Sequence, residues 1–479
     1  MIVLAIDQGT SGTKALLHDG ERTLAVVEEP VRPVYAGDRV EVDPQQLLDT
    51  VLETGRRAIA EAGNPQVEVV SLANQGETVL AWDRQTGRPF GPAMVWQDRR
   101  AEEICRELAA HGELVAARTG LVLDSYFSAP KMAYLRRSIT EGVVTTTDTW
   151  LVHQLTGEFV TDATTAGRSL LVDVDALQWD RELLEMFGLA EEPLPRIVGN
   201  DETVGHTAAF GGSIPVGGLI VDQQAALAAQ RCLEPGSAKC TYGTGAFLLA
   251  NTGERAVRSA RGLTTSPAWS LRDRRAYCLD GQVYTAGSAV RWMVSAGLLS
   301  APEALDQEAA AETGGAMFVP GLAGLAAPWW TSAASGALVG MGLATERGNL
   351  VRAVVEGLAC QVSVLVSELV AESGAELGTL RVDGGLTRSA VLMQAQADLL
   401  QVPIECYPSP HATALGAAAM GRLSLDERLT LEDAVPSWEP SRSYQPQWPA
   451  ERAQETVQRW RDQVELLVQE ELVREEKAR

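Results

Sequence analysis

The sequence predicts an α/β fold made of two related halves. Two observations carry that prediction. The chain opens on an apolar run, Met1 to Ile6, which ends in Asp7 and turns through Gln8-Gly9-Thr10-Ser11-Gly12-Thr13-Lys14 into a second apolar run. Near the middle, Thr241-Tyr242-Gly243-Thr244-Gly245 repeats the plan ahead of the apolar stretch Phe247 to Ala250. Both segments read as strand, tight loop, strand, and a repeated hairpin of this kind points to a duplicated unit.

Between and after the hairpins, strand-like and helix-like segments alternate. Asp43-Pro44 opens a helix over about 44–63, with Asp43 as N-cap and Pro44 in the first turn. Val67 to Ala73 is a β-branched strand that runs into Asn74-Gln75-Gly76-Glu77. Thr78 to Asp83 with the turn Arg84 to Gly87 reads as a hairpin, and Arg99 to His111 as a charged amphipathic helix. The second half begins near Cys232. It carries helical periodicity from Leu350 to Ala371, a strand Leu380 to Asp383 entering Gly384-Gly385, and an alanine-rich helix from His411 to Met420. Trp438 to Tyr444 reads as connector, and Ala450 to Lys477 as a terminal amphipathic helix with a solvated charged face. These limits divide the chain into halves 1–231 and 232–445 and a terminal helix, 446–479.

The first hairpin has the chemistry of a phosphate loop. Its glycines permit close backbone approach, its hydroxyls and amides donate to anionic oxygens, and Lys14 adds a positive charge. Asp7, at the strand's end, is placed to hold a Mg²⁺ that bridges phosphates. A Walker loop is excluded, because the glycine spacing is wrong and Ala15 to His18 continues as strand where a helix must follow.

Composition narrows the class. The chain has 479 residues, 46% apolar and 22% charged, as in ordinary globular proteins of two or three domains. With 63 acidic against 40 basic residues, its net charge of −23 argues against nucleic-acid or anionic-membrane partners. Six scattered cysteines without a Cys-x-x-Cys pair, and five dispersed histidines, argue against a disulfide framework, a zinc site or a serine-type triad. No apolar run approaches membrane-spanning length and no basic leader precedes Met1 to Ile6, so a cytoplasmic protein without membrane insertion is expected.

From Ile2 to about Arg422 the chain resembles the FGGY carbohydrate kinase family. Asp7 to Thr10, Val95-Trp96-Gln97-Asp98-Arg99-Arg100, Tyr126-Phe127-Ser128, Thr147 to Leu151, Asp222-Gln223-Gln224, Tyr242 to Gly245 and the stretch Gly336 to Glu356 occur in the family's order. The resemblance implies two actin-like (ribonuclease H-like) ATPase domains with the active site in the cleft between them. It implies ATP and Mg²⁺ as cofactors, a small-molecule polyol or sugar as acceptor, and leaves room for a homodimer or homotetramer. Asp222 matches the catalytic base that takes the acceptor's hydroxyl proton, a role that suits a carboxylate. Its position before Ala225 to Ala229 also fits a helix cap.

The resemblance further implies nucleotide contacts at Thr10, Ser11, Gly12 and Lys14 in the first hairpin and at Thr244 and Gly245 in the second. Gly287, Arg291, Gly385 and Ser389 match positions nearer the nucleoside; Arg291 and Ser389 stand where glutamine and asparagine are usual. Acceptor binding falls to Gly76, Glu77, Trp96, Tyr126, Asp222 and Gln223. Gly76 departs from the glycerol-phosphorylating members, which carry an arginine there. Loss of that fork removes charge-assisted hydrogen bonds and opens volume, so a water or a larger polyol or sugar is expected in its place. The segment Ser128 to Tyr134 also departs from the family pattern. An actin-like regulatory ATPase shares the paired hairpins but has no use for the acceptor set, and a non-catalytic sugar sensor would have no need of Asp222.

Overall fold

A computed structural model of the chain describes residues 1–331 and 334–478, with side chains described through residue 470. In the first half, β1 (Val3–Gln8), β2 (Gly12–His18) and β3 (Thr23–Pro30) form an antiparallel meander. Strand β4 (Val69–Asn74) lies parallel to β1, and β5 (Ile214–Val221) parallel to β4. The sheet therefore runs β5-β4-β1-β2-β3, with Thr203–Thr207 as an edge strand beyond β5. Strands β1 and β4 are buried along nearly their whole length, which is why they read as continuous apolar runs rather than alternating ones.

The second half repeats this order. It contains β6 (Ala238–Tyr242), β7 (Ala246–Gly253), β8 (Thr264–Ser270), β9 (Arg275–Val283), β10 (Leu380–Asp383), β11 (Ile404–Cys406) and β12 (Arg442–Tyr444). Its sheet runs β8-β9-β7-β6-β10-β11-β12. Strands β6, β7 and β9 are antiparallel like β1, β2 and β3, while β10 and β11 are parallel to β6 like β4 and β5 to β1. The duplication suggested by two short hairpins is thus carried by whole sheets.

Eight helices matter for the site: α1 (Pro44–Glu61), α2 (Ser128–Arg136), α3 (Asp222–Ala229), α4 (Gly287–Ser295), α5 (Arg347–Ser373), α6 (Ala390–Leu400), α7 (Ala412–Leu425) and α8 (Ala450–Ala478). Helix α1 starts as expected, with the Asp43 carboxylate accepting from Gln45 N at 2.9 Å and Pro44 in the first turn. Helix α7, though it belongs to the later part of the chain, packs on β1, β4 and β5 and against α3. A Cβ at Gly416 would meet Ala225 O at 1.9 Å, so α7 and α3 touch backbone to backbone.

Some expectations need correction. Arg99 to His111 is not one helix but a helix over Glu102–Glu107 and a 3-10 turn over Ala109–His111. Buried Asp98 accepts from Val40 N and binds Arg100, so residues 98–100 are held as a turn. The connector 438–444 ends in β12, which pairs with β11. One segment does have the length and apolarity of a membrane span, namely α5; 89% of its apolar window is buried inside the second half. Helix α8 docks on that same half, where buried Trp460 donates Nε1–H to Phe318 O at 2.8 Å.

Candidate active site

Because β1, β4 and β5 point the same way, their last residues line up, Gln8 opposite Asn74 and Asn74 opposite Val221. Past that edge come the first hairpin turn, Gln75-Gly76-Glu77 and Asp222-Gln223. In the second sheet Thr241 lies opposite Asp383, so the second hairpin turn and Gly384-Gly385 leave side by side. Open sheets bind ligands beyond the carboxyl ends of parallel strands, and here two such edges meet.

Thr10, Ser11, Gly76, Glu77, Trp96, Tyr126, Asp222, Gln223 and Thr244 all line one cavity of about 190 Å³, with Phe247 of the second half closing its apolar side. Trp96 meets Tyr126 edge-on at 5.5 Å between ring centres and Phe247 at 6.0 Å. An apolar wall of rings faces a polar wall of carboxylates and amides, which suits a short carbon chain bearing hydroxyls. Glu77 is buried and holds a left-handed backbone, φ 60°, which aims its side chain at Arg168. At Gly76 the space is bounded, since a Cβ would lie 3.0 Å from Val221 Cγ2 and 3.8 Å from Arg168 Cδ.

Asp222 is the first residue of α3 rather than its cap; Val221 holds the cap position, and Asp222 Oδ1 accepts from Gln223 N at 2.7 Å. Burial first, then the charge of Asp7, pushes the Asp222 carboxyl up to about 6, against the pull of Lys239. Burial likewise pushes Asp7 up to about 6, with Lys14 opposing and Asp383 across the cleft adding to the rise. Among the described residues no group of three or more His, Cys, Asp or Glu side chains is arranged to hold a metal by itself. The charge of Asp7 is felt at Asp222, so two carboxylates stand near each other beside the two hairpins. A pair of carboxylate donors fits a hard divalent cation, whose other ligands would have to come from water and phosphate.

Gly287, Arg291, Gly385 and Ser389 line a separate cavity of about 460 Å³, and Gly243 borders both cavities. The amides of Gly287 and Ser288, at the start of α4, donate to Gly243 O and Thr244 O at 2.9 and 3.1 Å. A Cβ at Gly287 would lie 2.5 Å from Gly243 O, so glycine lets α4 seat directly on the hairpin. Ser389 caps α6, accepting from Leu392 N at 3.2 Å and donating to Asp306. Gly12 and Gly245 turn their α-carbons toward Glu29 O and Val283 O in their own sheets. Lys14 pairs with Glu28 at 2.8 Å.

Three buried cations behind the cavity escaped the sequence reading. Lys239 Nζ donates to Gln223 Oε1 and Thr241 Oγ1 at 2.5 and 2.8 Å, and Thr241 passes the link to Asp383. Lys131 Nζ donates to the carbonyls of Ser125, Tyr126 and Phe127, and burial pushes it down to about 8. Arg168 binds Glu77 and Asp280. Lys239 alone had a local signal, a lysine in an otherwise apolar strand two residues before Thr241.

Models of the FGGY family of carbohydrate kinases match the chain twice, the N-terminal domain over residues 2–229 and the C-terminal domain over 238–425. A glycerol kinase of Bordetella parapertussis is 40% identical over 490 residues, spanning 97% of this chain and 96% of its own. Glycerol kinase 2 of Thermotoga maritima is 38% identical and covers 96% and 98% of the two chains. Among solved structures, Plasmodium falciparum glycerol kinase with ADP superposes with a TM-score of 0.89 at 31% identity, covering 97% of this chain and 98% of that one.

Proposed function

The chain belongs to the FGGY family of carbohydrate kinases and is an ATP-dependent kinase of a polyol or sugar; from that premise we propose that it phosphorylates a primary hydroxyl of a small polyol, glycerol or a longer homologue, with Asp222 as general base. The observation that carries the reading is the 190 Å³ cavity in which Glu77, Trp96, Tyr126 and Asp222 share one space with Thr10 and Thr244 of the two hairpins. Glu77, Tyr126 and Gln223 supply polar groups for hydroxyls, and Trp96 and Phe247 pack the carbon chain. Asp222, ionised above about pH 6, accepts the acceptor's proton as its oxygen attacks the γ-phosphate. Asp7 would hold Mg²⁺, which when bound neutralises charge on the transferred group. The hairpin amides offer fixed dipoles for the same charge.

In this reading the larger cavity takes the nucleoside and the smaller one the acceptor, and Gly243 borders both. The relatives named glycerol kinase favour a triol; Gly76 favours a longer acceptor. An actin-like regulatory ATPase would leave the acceptor residues without a task. A cytoplasmic location and a homodimeric or homotetrameric assembly accompany the proposal, and all six cysteines are free thiols, as a reducing compartment requires. The deciding experiment is ADP release from MgATP with glycerol, tetritols, pentitols and ketoses in turn. Stimulation by one or more of them is expected, and ATP turnover indifferent to all would refute the reading.

A further inference from the structure

Arg168 follows a short helix, Ala163–Ala166, in the first half and is 6% exposed. Its Nε donates to Glu77, and its Nη1 donates to Asp280 Oδ2 at 2.9 Å and Ser266 Oγ at 3.3 Å. The guanidinium also sits 5.7 Å from the centre of the Tyr126 ring and 5.6 Å from that of Phe127. Two acceptor-site side chains, Glu77 and Tyr126, therefore lean on one cation that does not itself line the acceptor cavity. The far end of that cation is fixed. Asp280 lies in β9 of the second half and accepts from Thr264 and Gln282 as well as Arg168.

We propose that Arg168 is the positioning residue of the acceptor pocket, holding the Glu77 carboxylate and the Tyr126 ring in place and anchoring both to Asp280 of the second half. The inference rests on the polyol-kinase reading and extends it. An unpaired carboxylate in this pocket would pick up a proton and turn from acceptor to donor; the paired one stays ready to receive two hydroxyl hydrogens. A planar fork does this for two carboxylates at once with fixed geometry, which a lysine cannot copy. Because the fork reaches across the two halves, acceptor grip depends on how those halves meet.

The test uses the full-length chain with MgATP and the acceptor that the panel selects, comparing wild type, Arg168→Gln, Arg168→Lys and Asp280→Asn. In Arg168→Gln the acceptor KM should rise tenfold or more while the ATP KM changes less than twofold. Arg168→Lys should recover part of that loss by restoring the charge. The charged groups around Glu77 are Arg168, Lys131 and Asp222, and those around Arg168 are Asp280 and Glu77, with Tyr126 beside them. Removing the arginine should therefore move upward the pH below which acceptor affinity falls. Asp280→Asn keeps the shape and an accepting oxygen, so it carries the test if the arginine variants do not fold; its acceptor KM should rise severalfold with the ATP KM unchanged. Folded variants with wild-type acceptor KM and pH profile would overturn the inference while leaving the kinase reading intact. A wild type that phosphorylates no polyol or sugar overturns the reading beneath it, and the inference with it.

Discussion

Trp96 donates its indole Nε1–H to the Thr10 hydroxyl at 2.9 Å. The bond joins the apolar wall of the 190 Å³ cavity to the turn of the first hairpin. The proposed acceptor and phosphate sites are thus linked by a side-chain hydrogen bond, and the Trp96 ring is tied to the loop that would meet the γ-phosphate.

Trp96→Phe keeps a ring against Tyr126 and Phe247 but removes this bond. Loss of one such hydrogen bond is worth about 1 kcal/mol, so kcat/KM for the acceptor should drop roughly fivefold. Steady-state kinetics with each substrate varied will show it. An unchanged kcat/KM would mean that the bond orients nothing.

Asp222→Asn removes the proposed base with little change in shape. Transfer should fall by about 10²–10⁴-fold, while ATP affinity measured by calorimetry stays near wild type. In the wild type, the Asp222 carboxyl is raised to about 6, and as the proposed base it would act only when ionised. The rate should therefore level off above that pH and decline as the pH falls through it. Asp7 titrates in the same range and the two repel, so the limb belongs to the pair.

Gly76→Arg adds donors beside Glu77 and takes volume from a 190 Å³ cavity. Its Cβ starts 3.0 Å from a Val221 methyl group, which must yield by a few tenths of an ångström. Selectivity should move toward the shortest acceptor, with the ratio of pentitol to glycerol kcat/KM falling by about tenfold or more, the scale at which lost pocket space discriminates. A ratio that does not move would show that Gly76 does not set acceptor length.

Gly384 and Gly385 separate a backbone requirement from a ligand requirement. Gly384 has φ 93°, and a Cβ there would lie 2.4 Å from Tyr242 O. Gly384→Ala should destabilise the second half by more than about 1 kcal/mol. Gly385 meets only Arg388 Nη2, at 3.9 Å, and borders the 460 Å³ cavity. Gly385→Ala should leave the melting temperature alone and raise the ATP KM. Thermal melts and ATP titrations on both variants distinguish the two effects.

Local chemistry made much of this protein legible in its sequence. The hairpin of Asp7 to Lys14 and its echo at Thr241 to Phe247 are built from near neighbours, so turn residues and apolar runs announce them. Asp222 is marked by its place in the family motif Asp222-Gln223-Gln224, and it stands where a strand ends and a helix begins. Tertiary structure decided what stands behind those residues. Arg168 lies 91 residues from Glu77 and 112 from Asp280, and Lys239 reaches the Asp383 carboxylate through Thr241, which lies 142 residues before it. The burial of α5 and the docking of α7 on the first sheet are equally non-local. A pairing between a cation and a carboxylate depends on distance in space, which one-dimensional spacing encodes only within a turn or a strand. The sequence by itself determined two glycine-and-hydroxyl hairpins and the family they mark; folding decided which buried cations stand behind Glu77, Tyr126 and Gln223, because only the packed sheets bring those charges together.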